Sequence, residues 1–539
     1  MTGLILAALH VNTMGVEDLF HDGEVLWAAT SGGLEAYDDA GERIGHVLEG
    51  LPGAKLAAVG LHKGRLTVGG AQGAASWQPD PVVGRWEPLY AEELGSDTSV
   101  VAVLPDHLVT AAGMVFPGGL SLDGHVADAV WFDGTIVAGT LEAELLIVRN
   151  GKVTREMLPG PVTDLAVVDG QVRVACEYGS AVYDGVLRWE DLAASAAGKY
   201  WGTPSGLVFG ESGLVASVGA PVTSIEDTPA GVVVGTASGL YRLGTEGVTQ
   251  MTPAGQICGS FLTGATSWEG KLVVSTFDSG ACVLESDGWK RIEGIPTEMF
   301  NDVQADGADL WLASSDGLYR LNESGLKHFG VVDYGTQLKT PGVHHKAVNG
   351  LAVGDRLWIT DVVGPVSVDA KENWRRHRLS VWGRSYQDVA ACGDEAWVAS
   401  EDAGVTWTNG RKWAHFDAST GLPDDWVMAV ACDGIGTAWA GTYQDGVWAM
   451  NSGRWEQLKG LEDLWVLSLD WGEENLWVGT MGGLFRYNES FRPVRGIPHP
   501  AVHDITVVDG GVLVATEGGL AVLATDSQPV SLMKHASVR

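Results

Sequence analysis

One short motif, repeated along the whole chain, restricts the fold more than any other feature. Leu26-Trp-Ala-Ala-Thr-Ser-Gly-Gly-Leu-Glu-Ala-Tyr37 returns as Leu310-Trp-Leu-Ala-Ser-Ser-Asp-Gly-Leu-Tyr-Arg-Leu321. It returns again as Leu476-Trp-Val-Gly-Thr-Met-Gly-Gly-Leu-Phe-Arg-Tyr487 and as Leu513-Val-Ala-Thr-Glu-Gly-Gly-Leu-Ala-Val-Leu523. Weaker copies begin near Leu66, Leu108, Ile136, Val172, Val232, Leu272, Leu357, Ala396 and Ala438, and Tyr200-Trp-Gly-Thr-Pro-Ser-Gly-Leu207 is a truncated one. Fourteen copies in 539 residues give about 38 residues per unit, a length typical of propeller blades.

Each unit reads as four short strands. An apolar V-x-x-L step opens the first, the Leu-Trp-Val-Gly-Thr type forms the second, and Gly-Leu-Tyr-Arg forms the third. The fourth begins around Gly-x-Trp, as at Trp289 and Trp455, and a loop often carrying Leu-Pro or Ile-Pro follows. Short apolar runs bounded by turn residues at this spacing predict an all-β chain. Radial repetition lets each small sheet bury both faces against its neighbours and leaves only short edges. The sequence therefore predicts two seven-bladed β-propellers of about fourteen four-stranded blades, one over residues 1–250 and one over 251–539. Residues 2–10 align with a fourth strand, since Ile5 precedes Leu19 by the same interval as Trp289 precedes Val303. The N-terminus is thus expected to complete a blade whose other strands come from later in the chain. The tail Pro529–Met533 is a second candidate for such a strand, and which ring each terminus closes stays open.

Composition narrows the class of function. With 74 Gly and 45% hydrophobic residues the chain has turns and core in abundance, which excludes disorder. A net charge of −34 and a pI near 4.6 exclude a broad grip on a phosphate backbone, so no nucleic-acid partner is expected. No apolar run approaches the ~18 residues of a membrane helix, and the apolar start at Leu4 lacks the basic residues of a secretory signal. Five cysteines without a C-x-x-C pair signal neither a disulfide framework nor a zinc knuckle. Cys392 and Cys432 occupy one slot of successive repeats and read as core packing. A cytoplasmic protein without membrane partner, metal or cofactor is expected.

The stretch Gly421-Leu-Pro-Asp-Asp-Trp-Val-Met-Ala-Val, followed by Ala438-Trp-Ala-Gly-Thr-Tyr-Gln-Asp-Gly-Val-Trp448, resembles the two-component-regulator propeller repeat. The resemblance spans nearly the whole chain, is strongest from about 300 to 525, and is weak between about 66 and 210. It implies paired seven-bladed propellers of the kind that serve as sensor modules of bacterial hybrid kinases. In that family a membrane span and kinase domains follow. Here the sequence ends at Arg539 with neither, so the resemblance implies the fold, and signalling is expected to run through a separate chain.

Candidate site residues are those the repeat does not explain. Twelve of the 22 Trp fall in two packing slots of the second and fourth strands, whereas Trp382, Trp426 and Trp465 lie in or just after loops leading into a blade. The segment before the Leu357 unit is longer than average and carries Tyr334, His344, His345 and Lys346. Next come Arg375, Arg376, Arg378, Trp382, Arg384 and Tyr386, the only compact basic cluster. Arg beside Trp or Tyr suits a carboxylate, a phosphate or an acidic protein segment, although alternate strand residues point to opposite faces. His499 and His503 have a spacing that would hold a metal on a helix but not on a loop. An Asp recurs before the apolar end of the first strand, at Asp18, Asp164, Asp302, Asp388 and Asp504. It is read as accepting backbone N–H bonds in repeated turns, with a cation-binding channel as the alternative. Ser400–Trp407 matches an Asp-box but fills a slot that the repeat explains. No G-x-S-x-G, H-E-x-x-H, P-loop or EF-hand pattern occurs.

These observations predict a non-enzymatic binding or scaffold module that engages a protein partner, such as a separately encoded effector, or a small ligand on a loop face. A bacterial regulatory or defence complex is the expected setting. The alternative is a propeller enzyme, a lyase or glycan hydrolase, built from the loops leading into the blades.

Overall fold

The motif's residues each do one physical job in the blade, and together they explain why it repeats. The Thr or Ser ending the second strand donates its hydroxyl to the carbonyl of the glycine that starts the third. This holds for Thr30 to Gly33, Ser314 to Gly317, Thr480 to Gly483 and Thr516 to Gly519, at 2.7–2.9 Å. Gly483 sits at φ 139°, where side-chain-bearing residues are strained. One position before the Thr, a Cβ on Gly479 would lie 2.6 Å from Cγ1 of Val502, the first residue of the next blade. The small residue there is what lets neighbouring blades approach. The tryptophans of the second strand meet those of the following blade's fourth strand, as Trp311 with Trp374, Trp358 with Trp413 and Trp397 with Trp455. Trp189 departs from this packing role and is 60% exposed.

The computed structural model describes residues 4–48, 50–53, 55–79, 85–94, 98–244, 247–253, 255–332, 340–377, 385–451 and 453–525. These fold into fourteen four-stranded antiparallel sheets, with one α-turn at Ala91–Leu94 and one 3-10 turn at Ala418–Thr420. No helix among them is long and apolar enough to cross a membrane. The sheets form two units of seven blades. The insert unit is Asn12–Ala254, and the split unit is Met1–Val11 with Gly255–Arg539. The division thus follows residue 254 rather than 250, and residues 1–11 belong to the later unit, not to the first.

In the split unit the inner strands are Leu262–Trp268, Phe300–Asp306, Val348–Val353, Tyr386–Cys392, Val427–Cys432, Val466–Gly472 and Val502–Val508. The strand Leu4–His10 pairs antiparallel with Gly519–Thr525 and is the outermost strand of the last blade. The Pro529–Met533 tail lies outside the described residues. Apolar side chains fill the space between successive sheets, so the core is divided among blade interfaces rather than gathered at one centre.

Two pairs of cysteines are disulfide-bonded, Cys258–Cys282 and Cys392–Cys432, and Cys176 is free and buried. This corrects the packing-only reading of the cysteines. Inner strands of adjacent blades run side by side, so residues in one slot of successive repeats become neighbours. The shared slot of Cys392 and Cys432 was the signal for a bond.

Candidate functional site

Along each inner strand of the split unit the residues have distinct duties. In three of these strands the second residue secures the next blade: Thr263 Oγ1 donates to Phe300 O, Asn301 Nδ2 to Val348 O, and Asn349 Nδ2 to Tyr386 O, at 2.7–2.9 Å. These residues, with Gln387, Met428, Leu467 and His503, surround one mouth of the axial channel, a cavity of about 250 Å³. A larger cavity of about 470 Å³ continues below it. Asp302, Asp388 and Asp504 line both, so their carboxylates stand at the waist between them.

Each of these carboxylates takes two backbone N–H bonds. Asp302 accepts from Val303 at 2.6 Å and from Leu351 of the next blade at 2.7 Å. Asp388 accepts from Val389 at 2.7 Å and from Val430 at 2.9 Å, and Asp504 accepts from Ala265 at 3.0 Å, from Ile505 N–H and, at 3.3 Å, from the Thr506 hydroxyl. The insert unit repeats the device with Asp18, Asp128 and Asp164. The acceptor role anticipated from sequence is present, but on inner strands at β-bulges rather than in turns. Asp128, in a weak copy of the repeat, escaped the sequence pattern. So did Asp470, which lies two residues further along its strand and accepts from Val507 at 2.7 Å. Burial pushes these acids up, Asp388 and Asp504 to about 6, Asp470 to about 7 and Asp18 to about 8. Asp302 is raised well above the usual range by burial and then by the charges of Asp504 and Asp388.

The loops leading into the inner strands and the loops joining second to third strands share one face, here called the upper face. They are tied by backbone bonds such as Tyr443 N to Trp426 O, Met481 N to Trp465 O and Phe277 N to Phe261 O. Trp426 stacks on Tyr443 with ring centroids 4.3 Å apart and planes 10° from parallel, and Tyr443 meets Trp465 at 4.6 Å. The Trp426 indole N–H points at Sδ of Met428, a mouth residue, at 3.1 Å. On the other side Phe261 lies 5.1 Å from Phe277 and 4.7 Å from His503. Phe277, Met299, Trp426 and Met481 are each 38–42% exposed on this rim. Sequence reasoning found Trp426 and Trp465 but missed Tyr443, whose place just after Thr442 in a second-to-third-strand loop puts it on the same face.

The remaining candidates do not gather there. Arg378, Trp382 and Arg384, with Tyr334, lie outside the described residues. Arg375 is exposed on an outermost strand, while its neighbour Arg376 is buried and donates to Thr340 O at 2.8 Å. The two therefore diverge, as the alternation of side chains along a strand requires. The Asp361 carboxylate, fully buried, accepts N–H bonds from His344, His345, Val363 and Gly364. Its Oδ2 also lies 3.4 Å from Nδ1 of His344, which holds that imidazole in the blade. His345 Nδ1 accepts from Ala347 N, and Lys346 is exposed. Tyr386 is fully buried as the first residue of its inner strand. Neither His344 nor His345 lines either cavity. Among the described residues no three His, Cys, Asp or Glu side chains are grouped to hold a metal ion.

Among solved structures, the chain is similar to PorZ, a bacterial surface component of the type-IX secretion system of Porphyromonas gingivalis. The two share 15% identity at a TM-score of 0.64, over 96% of this chain and 86% of that one. The chain is a double seven-bladed β-propeller. Lesser likenesses include the extracellular domain of a hybrid two-component system of B. thetaiotaomicron, with 15% identity, TM-score 0.41, and coverage of 95% of this chain and 69% of that one. A streptogramin B lyase structure shows 14% identity and TM-score 0.40, over 50% of this chain and 95% of the lyase. No protein-family model and no curated protein matches the chain.

Proposed function

We propose that this protein is a non-enzymatic binding module whose split unit engages a protein partner or a ligand on its upper face. The observation that carries this reading is the exposed rim of Phe277, Met299, Trp426 and Met481 around a polar channel mouth. Large apolar side chains clustered on a water-facing rim mark interaction surfaces, because their burial by a partner is favourable. Rigid blades with variable loops suit this task, since the scaffold holds the rim in place at no cost on binding. The two disulfides favour an oxidising compartment over the cytoplasm expected from sequence, because reducing compartments keep such thiols free.

A photo-reactive residue at Met481, compared with one at Ile435, tests the reading in extracts of the native host. Ile435 is 91% exposed and lies beyond the opposite end of an inner strand. Crosslinks are expected from Met481 and are expected to fall when Trp426 is changed to Ala. Crosslinks from Ile435 alone, unaffected by Trp426→Ala, would overturn the choice of face.

A further inference from the structure

The mouth of the split unit is rich in acceptor oxygens. Asn301 and Asn349 commit their amide nitrogens to carbonyls of the next blade, and Gln387 commits its own to Ser385. The amide oxygens of all three, with the second amide N–H of Asn301 and of Asn349, remain to meet a visitor. Below them Asp302 and Asp388 accept two N–H bonds each, and Asp504 also accepts the Thr506 hydroxyl, so each keeps acceptor capacity, since a carboxylate has about four acceptor sites. Among the described residues, no Lys or Arg lines either cavity. Burial holds Asp388 and Asp504 at about 6, and no described Lys or Arg lines the channel beside them. Negative charge surrounded by protein attracts a counter-charge far more strongly than negative charge in water.

The rim adds a second selectivity. The Trp426–Tyr443–Trp465 stack meets the cavity through Met428, and Phe261 meets it through His503. Aromatic faces attract organic cations and cover their apolar stems. A bare metal ion is disfavoured, because among the described residues no three acidic, histidine or cysteine side chains are grouped as its ligands.

We propose that the upper mouth of the split unit is a receptor for an organic cation, a protonated amine or guanidinium on an apolar stem. The charged head meets the oxygens of Asn301, Asn349, Gln387 and the Asp302–Asp388–Asp504 ring, and the stem lies against the aromatic rim. This rests on the reading of the upper face as the binding face. The cation has two sources, a lysine or arginine side chain of a partner protein and a free small amine, and both present the same chemistry.

The test is calorimetric titration of the full chain with Nα-acetyl-lysine methylamide, Nα-acetyl-arginine methylamide and n-butylammonium, against the neutral isostere Nα-acetyl-norleucine methylamide. At least one cationic probe is expected to bind saturably and at least tenfold more tightly than the norleucine compound. Trp426→Ala and Asn349→Leu are each expected to weaken it fivefold or more. Trp426 is partly exposed and lies outside the interior, so its variant keeps the test valid if an aspartate variant fails to fold. Equal binding of n-butylammonium and the lysine amide assigns a free amine, whereas preference for the amino-acid amides assigns a partner's side chain. Cationic probes no better than norleucine, or binding untouched by both variants, would overturn the proposal. If Met481 still crosslinks a partner in that case, the binding face stands and the cation specificity alone falls.

Discussion

Asp302 accepts the backbone N–H of Leu351 at 2.7 Å, reaching from one inner strand to the next. The same carboxylate accepts from Val303 at 2.6 Å, so one side chain holds its own β-bulge and the adjacent blade. Replacing it by Ala leaves two N–H groups facing the channel without that acceptor. Asp302→Ala is expected to lower stability by about 1–3 kcal/mol in guanidinium unfolding. Hydrogen exchange at the Leu351 amide should quicken with it. A variant as stable as the parent, with unchanged exchange at Leu351, would remove the latch from the account of blade docking.

The buried acids also set a pH dependence. Asp18 is raised to about 8, and Asp470 and Glu226 to about 7, so the folded state binds these protons more tightly than the unfolded chain. Their contribution is complete below the unfolded carboxylate range and is lost as pH rises through 7 and 8. His10, lowered to about 4, and His377, lowered to about 3, act oppositely and begin to destabilise only below the unfolded histidine value of about 6.5. Thermal stability should therefore increase from pH 8 to pH 6.5, by on the order of 1 kcal/mol. Asp18→Asn should flatten the rise. A flat or opposite profile in calorimetry would contradict the assignment.

Cys392 and Cys432 join two neighbouring inner strands across 40 residues of sequence. Reduction, or Cys432→Ser, is expected to cost about 2–4 kcal/mol. Thiol titration of the unreduced, unfolded protein should find one group, Cys176. Finding five thiols in protein from its native compartment would show that neither bond forms there.

The strand Leu4–His10 completes the blade of Val502–Val508 through its pairing with Gly519–Thr525, and the Trp289 indole Nε1–H donates to His10 Nδ1 at 3.3 Å. Removing residues 1–11 should lower the melting transition of the split unit, because it bares a sheet edge and unpairs Trp289. The insert unit, expressed as residues 12–254, should melt as it does in the full chain. Calorimetry of both proteins would settle this, and loss of the insert's transition on removing residues 1–11 would count against independent units.

Trp426 and Trp465 were legible as candidates because they stand outside the two slots that the repeat fills with tryptophan. Their joining through Tyr443 was not legible, since Tyr443 follows a repeated Thr and carries no irregularity of its own. The parting of the arginines was legible too, because consecutive strand residues point apart: Arg376 goes inward while Arg375 faces water.

By itself the sequence determined the four-stranded unit and its number, because a blade is held by turns and ladders among residues close in the chain. Motifs such as Gly479-Thr480 encode the turn and the approach of the next blade together. Only the tertiary structure decided where each ring shuts, which cysteines meet and what surrounds the channel. Ring closure joins Ala265 to Asp504, 239 residues apart, and Leu4 to Thr525. A periodic sequence specifies the contact between one repeat and the next. It leaves unspecified the one contact in each ring between its first blade and its last.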